Sequence, residues 1–515
     1  METNKPWVPN VARIHAVIQQ WADSSPDAIA LEDETISLSY KQLWIAVGDV
    51  AAHLKVIGIR PGDRVLFLAE NSVAAAVLAL ATSALDAWTV LVNARLSPRE
   101  IDEFIAHSGA RVVLYLTHVS ANALAHAERH GARSLVFLHI GAVHVGPLNH
   151  SATIEPVHAS PEKQVAAMIY TSGTSGKPKG VMLTHANILF AAEAVRTIRK
   201  IEPGDRSYGV MPMAHVVGLS SQLLGTLLSG ATLVLRPQFK PADVIRALAE
   251  SGITVMTGVP AMFAKLLEWS RSENMPIVAP ALRFITVAGS PLSPSLKEAV
   301  ETTFGLPLHN GYGLTETAPT VAMTTSDMPR TDCSVGLPLP GLEVRFIGAD
   351  GHDVAAGQVG ELWVRGPNVM RGYYGSSELT ALAIDPQGWF NTGDLARQGP
   401  DGSLHIEGRT KEMIIRSGFN VYPVEVEQVM NAYPGVIQSA VVGRAVKDNE
   451  EVVAFVEIAP GTLIDTSAMQ SYLRERLSPY KIPVEIRPMY QLPAAPTGKV
   501  LKHLLKQMAA TDQPG

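Results

Sequence analysis

The feature that most constrains this chain is a rhythm. Between residues 12 and 116, helix-period segments alternate with short apolar runs. Residues 12–22 and 41–57 read as helices and RVLFL (64–68) as a strand. A helix over 73–85, a strand over 88–92, a helix over 97–108 and the strand RVVLYL (111–116) follow. Strands separated by helices at this spacing argue for parallel βαβ units, so the expected fold class is α/β. From 341 to 365 the texture changes. LEVRFI and ELWVRG, with the turns ADG and AAGQVG, read as short antiparallel strands of a small β-rich subdomain at about 335–410. After 410 come MII, a helix from Pro423 to Asn431, SAVVG, EVVAFVEI and a helix around 466–477. That is a compact α+β unit of ordinary domain size. The expected organisation is a large N-terminal domain, 1–410, of parallel-sheet βαβ layers, and a small mobile C-terminal domain, 411–515, with the boundary at Arg409–Lys411. The tail 508–515 is expected to fray.

Composition removes whole classes of function. A chain of 515 residues is too long for one simple core. With 47% hydrophobic and 17% charged residues it is globular, not disordered. A net charge of −6, without a basic run of five or more, excludes a nucleic-acid binder. The single cysteine, Cys333, excludes an internal disulfide and a cysteine-based metal site, and fits a reducing cytoplasm. METNKPWVPN is not a signal peptide, and TDQPG carries no address. The longest apolar stretch, Val73–Val92, is interrupted by Thr82, Ser83 and Asp86. It reads as a buried Ala-rich helix running into WTVLV, not as a membrane span. A cytoplasmic location is expected.

Residues 170–180, YTSGTSGKPKG, combine three glycines (Gly173, Gly176, Gly180), the hydroxyls of Thr171, Ser172, Thr174 and Ser175, and the charges of Lys177 and Lys179. Strand-like AAMIY precedes them, and VMLTHANILFAAEAV reads as a helix entry after them. Glycines let backbone N–H groups approach a ligand closely, so this is a site for a polyphosphate. A plain flexible loop has the same composition. The ordinary P-loop does not fit, because Gly176-Lys177 is followed by Pro178. The dinucleotide fingerprint fails too: Gly311 and Gly313 are followed by Glu316 where it needs glycine.

YTSGTSGKPKG resembles the signature loop of the acyl-adenylate-forming superfamily, which includes acyl-CoA synthetases, aryl-CoA ligases, peptide-synthetase adenylation domains and beetle luciferases. The other motifs of that family follow in order over roughly 12–507. In NGYGLTET, the resemblance puts Asn310, Gly311 and Gly313 in the nucleotide site and stacks Tyr312 on adenine. Thr315 would touch the phosphates and Glu316 would hold Mg2+. AGSPL resembles the adenine-edge segment, with Gly289, Ser290 and Pro291. In WFNTGDLA, Asp394 matches the carboxylate that accepts from the ribose hydroxyls. In GRTKEMIIRSGFNVYPVEVE, Arg409 also grips ribose, Lys411 is the hinge, and Gly418 and Phe419 form the thiol face. In PTGKV, Lys499 bridges the carboxylate and the α-phosphate.

PMAHVVGL (212–219) resembles the segment that carries a histidine at the acyl pocket. His215 is that candidate, and the acyl pocket is expected to include Val216, Val217, Pro319, Thr320 and Val321 as well. In coumarate–CoA ligases a tyrosine stands two residues after the histidine; here that place is Val217. None of these residues is Arg or Lys, which disfavours a dicarboxylic acid and leaves an apolar one, medium-chain aliphatic or aryl. The implied reaction consumes ATP with Mg2+ and passes the acyl group to coenzyme A. A separate carrier protein is the alternative acceptor, since the sequence ends 16 residues after Lys499. An ATPase or phosphotransferase is the reading from another class, and a homodimer is compatible with the sequence. Cys333 in DCSVGLPLPG reads as structural.

Overall fold

The computed structural model describes residues 11–172, 178–417, 419–446, 449–495 and 498–511. Among the described residues, two large sheets share one core. The first has nine strands. Its centre is parallel and runs through Ile29–Glu32, Thr232–Leu235, Arg206–Gly209, Val255–Gly258, Phe284–Ala288 and Leu308–Gly313. The second has eight. Its parallel centre runs through Val165–Ser172, Trp88–Asn93, Arg64–Ala69 and Val112–Tyr115. Antiparallel strands finish both edges of each. The expected parallel βαβ layers are therefore present. Buried parallel strands carry apolar side chains on both faces, which is why RVLFLA and WTVLVN read as unbroken apolar runs.

The helix Val73–Ala84 lies in the shared core. Ser72 caps its N-terminus, its side chain accepting from the Ala75 N–H, and every residue from Val73 to Ser83 is buried. The small side chains let it approach neighbours closely. The same apolar cluster takes in Leu31 and Leu233 of the first sheet and Val65, Phe67 and Leu91 of the second. No helix among the described residues is long and apolar enough to cross a membrane.

Glu343–Ile347, Gly360–Arg365, Phe390–Gln398 and Leu404–Arg409 form a four-stranded antiparallel sheet, the β-rich unit expected there. Beyond it a hairpin, Ile414–Arg416 with Phe419–Val421, leads into the helix Pro423–Asn431. A three-stranded sheet follows, Val436–Val446, Asn449–Ile458 and Glu485–Met489. Its residues alternate between two cores: Val441, Val452, Ala454 and Val456 pack on one face, Ala440, Val442, Val453 and Phe455 on the other. That is the period of two expected of strands covered on both faces.

The two units touch through specific contacts. The Lys265 ammonium, on the helix Pro260–Ser272, lies 3.6 Å from the buried carboxylate of Glu457. The Ser295 hydroxyl donates to the Asn431 carbonyl at 3.3 Å.

One local expectation is corrected. Pro178–Thr184 is not the entry of a helix but a strand, paired antiparallel with Val165–Ser172 in the register Thr171↔Lys179. The helix starts at His185, capped by Thr184. The described ends of YTSGTSGKPKG, Thr171–Ser172 and Pro178–Gly180, therefore pair as antiparallel strands, and the helix comes only after the second strand.

Candidate active site

Of that hairpin, Gly173, Thr174, Ser175, Gly176 and Lys177 lie outside the described residues, as does Gly418. What remains is informative. Thr171 and Lys179 pair across the hairpin, and Ser172 pairs with Pro178. The short strand Gly372–Tyr373 runs antiparallel beside it, Tyr373 opposite Val181. The Lys179 ammonium stands 5.0 Å over the Tyr373 ring, within range of a cation–π attraction.

The strand Leu308–Gly313 delivers the second cluster. Asn310 is anchored by its amide, which donates to the Cys333 carbonyl at 2.9 Å. The Cys333 thiol is pushed up to about 11 by burial, so it is no nucleophile and serves packing. Gly313 has no alternative: a Cβ there would lie 1.7 Å from the Pro319 carbonyl oxygen. The chain then turns through Thr315–Thr317, closed by the Thr317 hydroxyl donating to the Pro319 carbonyl at 2.7 Å. Thr315 is buried in this turn and Glu316 is half-exposed. The Tyr373 hydroxyl donates to the Glu316 carboxylate at 3.0 Å. Gly289, with φ +85, turns the chain at the end of Phe284–Ala288, ahead of the half-exposed Ser290 and the exposed Pro291.

Tyr312 and Asp394 come from different sheets and meet. The phenol donates to the Asp394 carboxylate at 2.6 Å, and the Arg409 guanidinium contacts the other carboxylate oxygen at 2.9 Å. Arg409 reaches it because Asp394 and Arg409 are register partners across two antiparallel strands. Burial pushes the Asp394 carboxyl up, opposed by Arg409 and by the Tyr312 hydrogen bond. The Tyr312 hydroxyl is pushed up by burial and by Asp394. A carboxylate offers about four lone-pair sites, so two donors leave room for further hydroxyls.

The small unit brings Lys499 to this cluster. Its ammonium is pulled below the usual lysine value by burial first and Arg409 second, while Glu412 and Asp394 pull the other way. Lys499 is nonetheless exposed to solvent, which screens these charges. Lys499 also acts on His215, whose imidazole is lowered to about 4 by burial first and then by Lys499. His215 is therefore a neutral ring at ordinary pH. Its Nδ1 accepts from the Val217 N–H at 3.4 Å, at the mouth of a wide-turn helix, Val217–Leu224. Such π-type turns are frequent at functional sites.

The remaining candidates are dispersed. Val216 and Val217 join the main core. Val321 packs with Val335, Leu362 and Tyr312 under the four-stranded sheet, while Thr320 is its neighbour on the same strand and points to the other face. Pro319 is buried at the turn. Lys411 is exposed, and Phe419 is half open to solvent and stacks on Tyr480 at 4.6 Å.

Sequence reasoning misses two supports. Tyr373 stands in RGYYG, where an aromatic pair gives no hint of its partner. Lys502 sits between Glu412 at 3.0 Å and Glu427 at 2.8 Å. It ties the residues after Lys499 to the segment after Lys411, and one lysine and two glutamates separated along the chain do not announce such a bridge.

Comparison with known proteins bears on this arrangement. Residues 18–374 match the family model of the AMP-binding enzyme, and residues 425–499 match that of the AMP-binding enzyme C-terminal domain. The chain is 34% identical over 485 residues to a feruloyl-CoA synthase of an Amycolatopsis species, covering 93% of this chain and 96% of that one. It is 32% identical over 506 residues to an indoleacetate–CoA ligase of Aromatoleum aromaticum, covering 96% and 98%. Among solved structures, it is similar to o-succinylbenzoate CoA synthetase from Bacillus subtilis in complex with its acyl-adenylate intermediate. The TM-score there is 0.81 at 27% identity, covering 98% of each chain.

Proposed function

Because this chain belongs to the AMP-binding enzyme family, we propose that it is an ATP-dependent acid–thiol ligase that makes an acyl-AMP and then an acyl-CoA thioester. The observation that carries the proposal is the Tyr312–Asp394–Arg409 cluster, at 2.6 and 2.9 Å, with Lys499 of the small unit near enough to act on Asp394, Arg409 and His215.

A carboxylate is a poor electrophile because oxide would have to leave. Its attack on the α-phosphate of ATP forms the C–O–P bond of an acyl-AMP and expels pyrophosphate. The cost of that step is the approach of two anions. Lys499 supplies a fixed positive charge at that approach, and such a preorganised charge is worth roughly 3–4 kcal/mol. Asp394 and Arg409 would hold the ribose and Tyr312 would lie along the adenine. The loop around Lys179 would hold phosphates. No group of three or more His, Cys, Asp or Glu gathers among the described residues. A magnesium ion would therefore be held by the Glu316 carboxylate together with phosphate oxygens and water, a normal arrangement for that ion, and would supply charge neutralisation. In the second step a thiol sulfur attacks the acyl carbonyl, the C–O bond to AMP breaks, and AMP leaves. In this reading the small domain begins after Arg409–Lys411 and rotates there, withdrawing Lys499 and turning Phe419 and its neighbours to the thiol.

Coenzyme A is the acceptor that the similar ligases support. The similar ligases are named for feruloyl and indoleacetate groups, so an aryl acid is favoured over a medium-chain fatty acid, while the absence of a cation among the candidate pocket residues disfavours a dicarboxylic one. Exchange of labelled pyrophosphate into ATP, run across a panel of acids, tests the reading. Exchange must require an acid. Release of phosphate without AMP would reject it.

A further inference from the structure

The segment around Tyr373 joins the two phosphate-binding motifs. On one side, the Arg371 N–H donates to the Met182 carbonyl at 3.0 Å and the Tyr374 N–H to the Gly180 carbonyl at 2.8 Å, so the segment is zipped to the YTSGTSGKPKG hairpin. On the other, the Met370 N–H donates to the Glu316 carbonyl at 2.8 Å. The backbone between is fixed. Gly372 has φ +146, and a Cβ there would meet Thr380 at 2.8 Å. The Tyr373 N–H donates to the Thr380 hydroxyl at 2.9 Å.

From that frame the buried Tyr373 side chain makes two contacts with candidate phosphate-site groups. Its hydroxyl donates to the Glu316 carboxylate at 3.0 Å, and its ring lies 5.0 Å under the Lys179 ammonium. A phenol carries its proton at working pH, so this hydroxyl is a donor to the carboxylate. A hydrogen bond to a carboxylate is stronger than one between neutral groups. It also removes a rotational freedom that Glu316 would otherwise lose only on binding nucleotide.

We propose that Tyr373 is a positioning residue for the adenylation step: its hydroxyl orients the Glu316 carboxylate and its ring seats the Lys179 ammonium, so that both face the MgATP phosphates together. This rests on the acyl-AMP reading above. Tyr373→Phe removes the hydroxyl and keeps the ring. The expected result is a fall in acid-dependent pyrophosphate exchange of roughly ten-fold, the scale of one hydrogen bond to a charged group. The Mg2+ concentration for half-maximal exchange should rise, and thioester formation from supplied acyl-AMP should be unchanged. Calorimetric titration with a non-hydrolysable ATP analogue should show the loss of affinity with Mg2+ present and little loss without it. Glu316→Gln should fall further, and adding Tyr373→Phe to it should cost nothing more. Equal losses in both half-reactions, or an unshifted Mg2+ dependence, would reduce Tyr373 to packing and overturn the inference alone. A wild-type enzyme without acid-dependent exchange would overturn the acyl-AMP reading and this inference together.

Discussion

Gly498 lies against Val259: a Cβ built on Gly498 would stand 3.0 Å from the valine Cγ2. Gly498 also has φ +84, a region side chains avoid. The residue before Lys499 is thus seated on the entry of the helix Pro260–Ser272. Lys499→Ala is expected to lower adenylation by roughly two to three decades, the scale of one preorganised charge. Thioester formation from supplied acyl-AMP should be spared. Gly498→Ala should show the same selectivity more weakly, because it displaces the lysine without removing it. Stopped-time assays of the two half-reactions decide the matter; equal loss in both would remove the role given to Lys499.

The ion pair between Lys265 and Glu457 belongs to the arrangement with Lys499 in the cleft, since it joins the two units in that arrangement. The Lys265 side chain is 38% exposed and stands 3.6 Å off, so solvent screens the pair and it is worth about 0.2–1 kcal/mol. Lys265→Ala should therefore slow adenylation by no more than a few-fold, and raised salt should erase the difference. Lys411→Pro acts on the same motion from the other end, because it fixes φ and deletes an N–H. Adenylation should survive it and thiolation should fall. Unchanged overall thioester synthesis would place the hinge elsewhere.

His215 gives a prediction in pH. Its imidazole is held at about 4 in the folded chain, by burial and by Lys499, against an ordinary value near 6.5. As pH falls through 6.5, the unfolded chain takes up this proton and the folded chain does not. Stability is therefore lost between about 6.5 and 4. His309, also lowered to about 4 and chiefly by burial, adds to the same window. Replacing His215 with Asn should reduce the fall of melting temperature across that range, leaving the shares of His309 and of His185, which burial also holds well below its ordinary value. Adenylation should show no acid limb near 6.5 from His215. A limb there that vanishes in the Asn variant would mean that the ring titrates normally.

How much of this is legible in the sequence follows from burial. Strands such as Arg64–Ala69 and Trp88–Asn93 are covered on both faces, so their unbroken apolar runs mark them clearly. Pro178–Thr184 escapes because it begins with proline and lysine and runs without a break into the helix at His185. The order of motifs points to Tyr312, Asp394, Arg409 and Lys499. It does not say that the tyrosine hydroxyl bonds the aspartate, because those residues stand on strands of different sheets. Tyr373 and Lys502 are hidden for the same reason. Each works through a partner more than fifty residues away or through two carboxylates on separate elements.

The last prediction concerns the acid. Val217 opens the wide-turn helix that follows His215, and its backbone N–H is held by the His215 ring. If this turn borders the acyl chain, volume added at Val217 comes out of the pocket. Val217→Tyr adds a ring where the valine is now 8% exposed, so bulky and long acids should clash while short ones keep their affinity. One methylene in such a pocket is worth about 1–3 kcal/mol, so the preferred acid should shift visibly. The new phenol should also admit a hydroxyl-bearing aryl acid that can hydrogen-bond it. His215→Ala should instead lower activity with all acids alike, because that ring lies on the Lys499 side, where the carboxylate and not the tail would sit. Values of kcat/KM for a series of straight-chain and aryl acids separate the two patterns. A Val217→Tyr enzyme with an unaltered preference profile, folded to the same melting temperature, would place the pocket on another wall of the cleft.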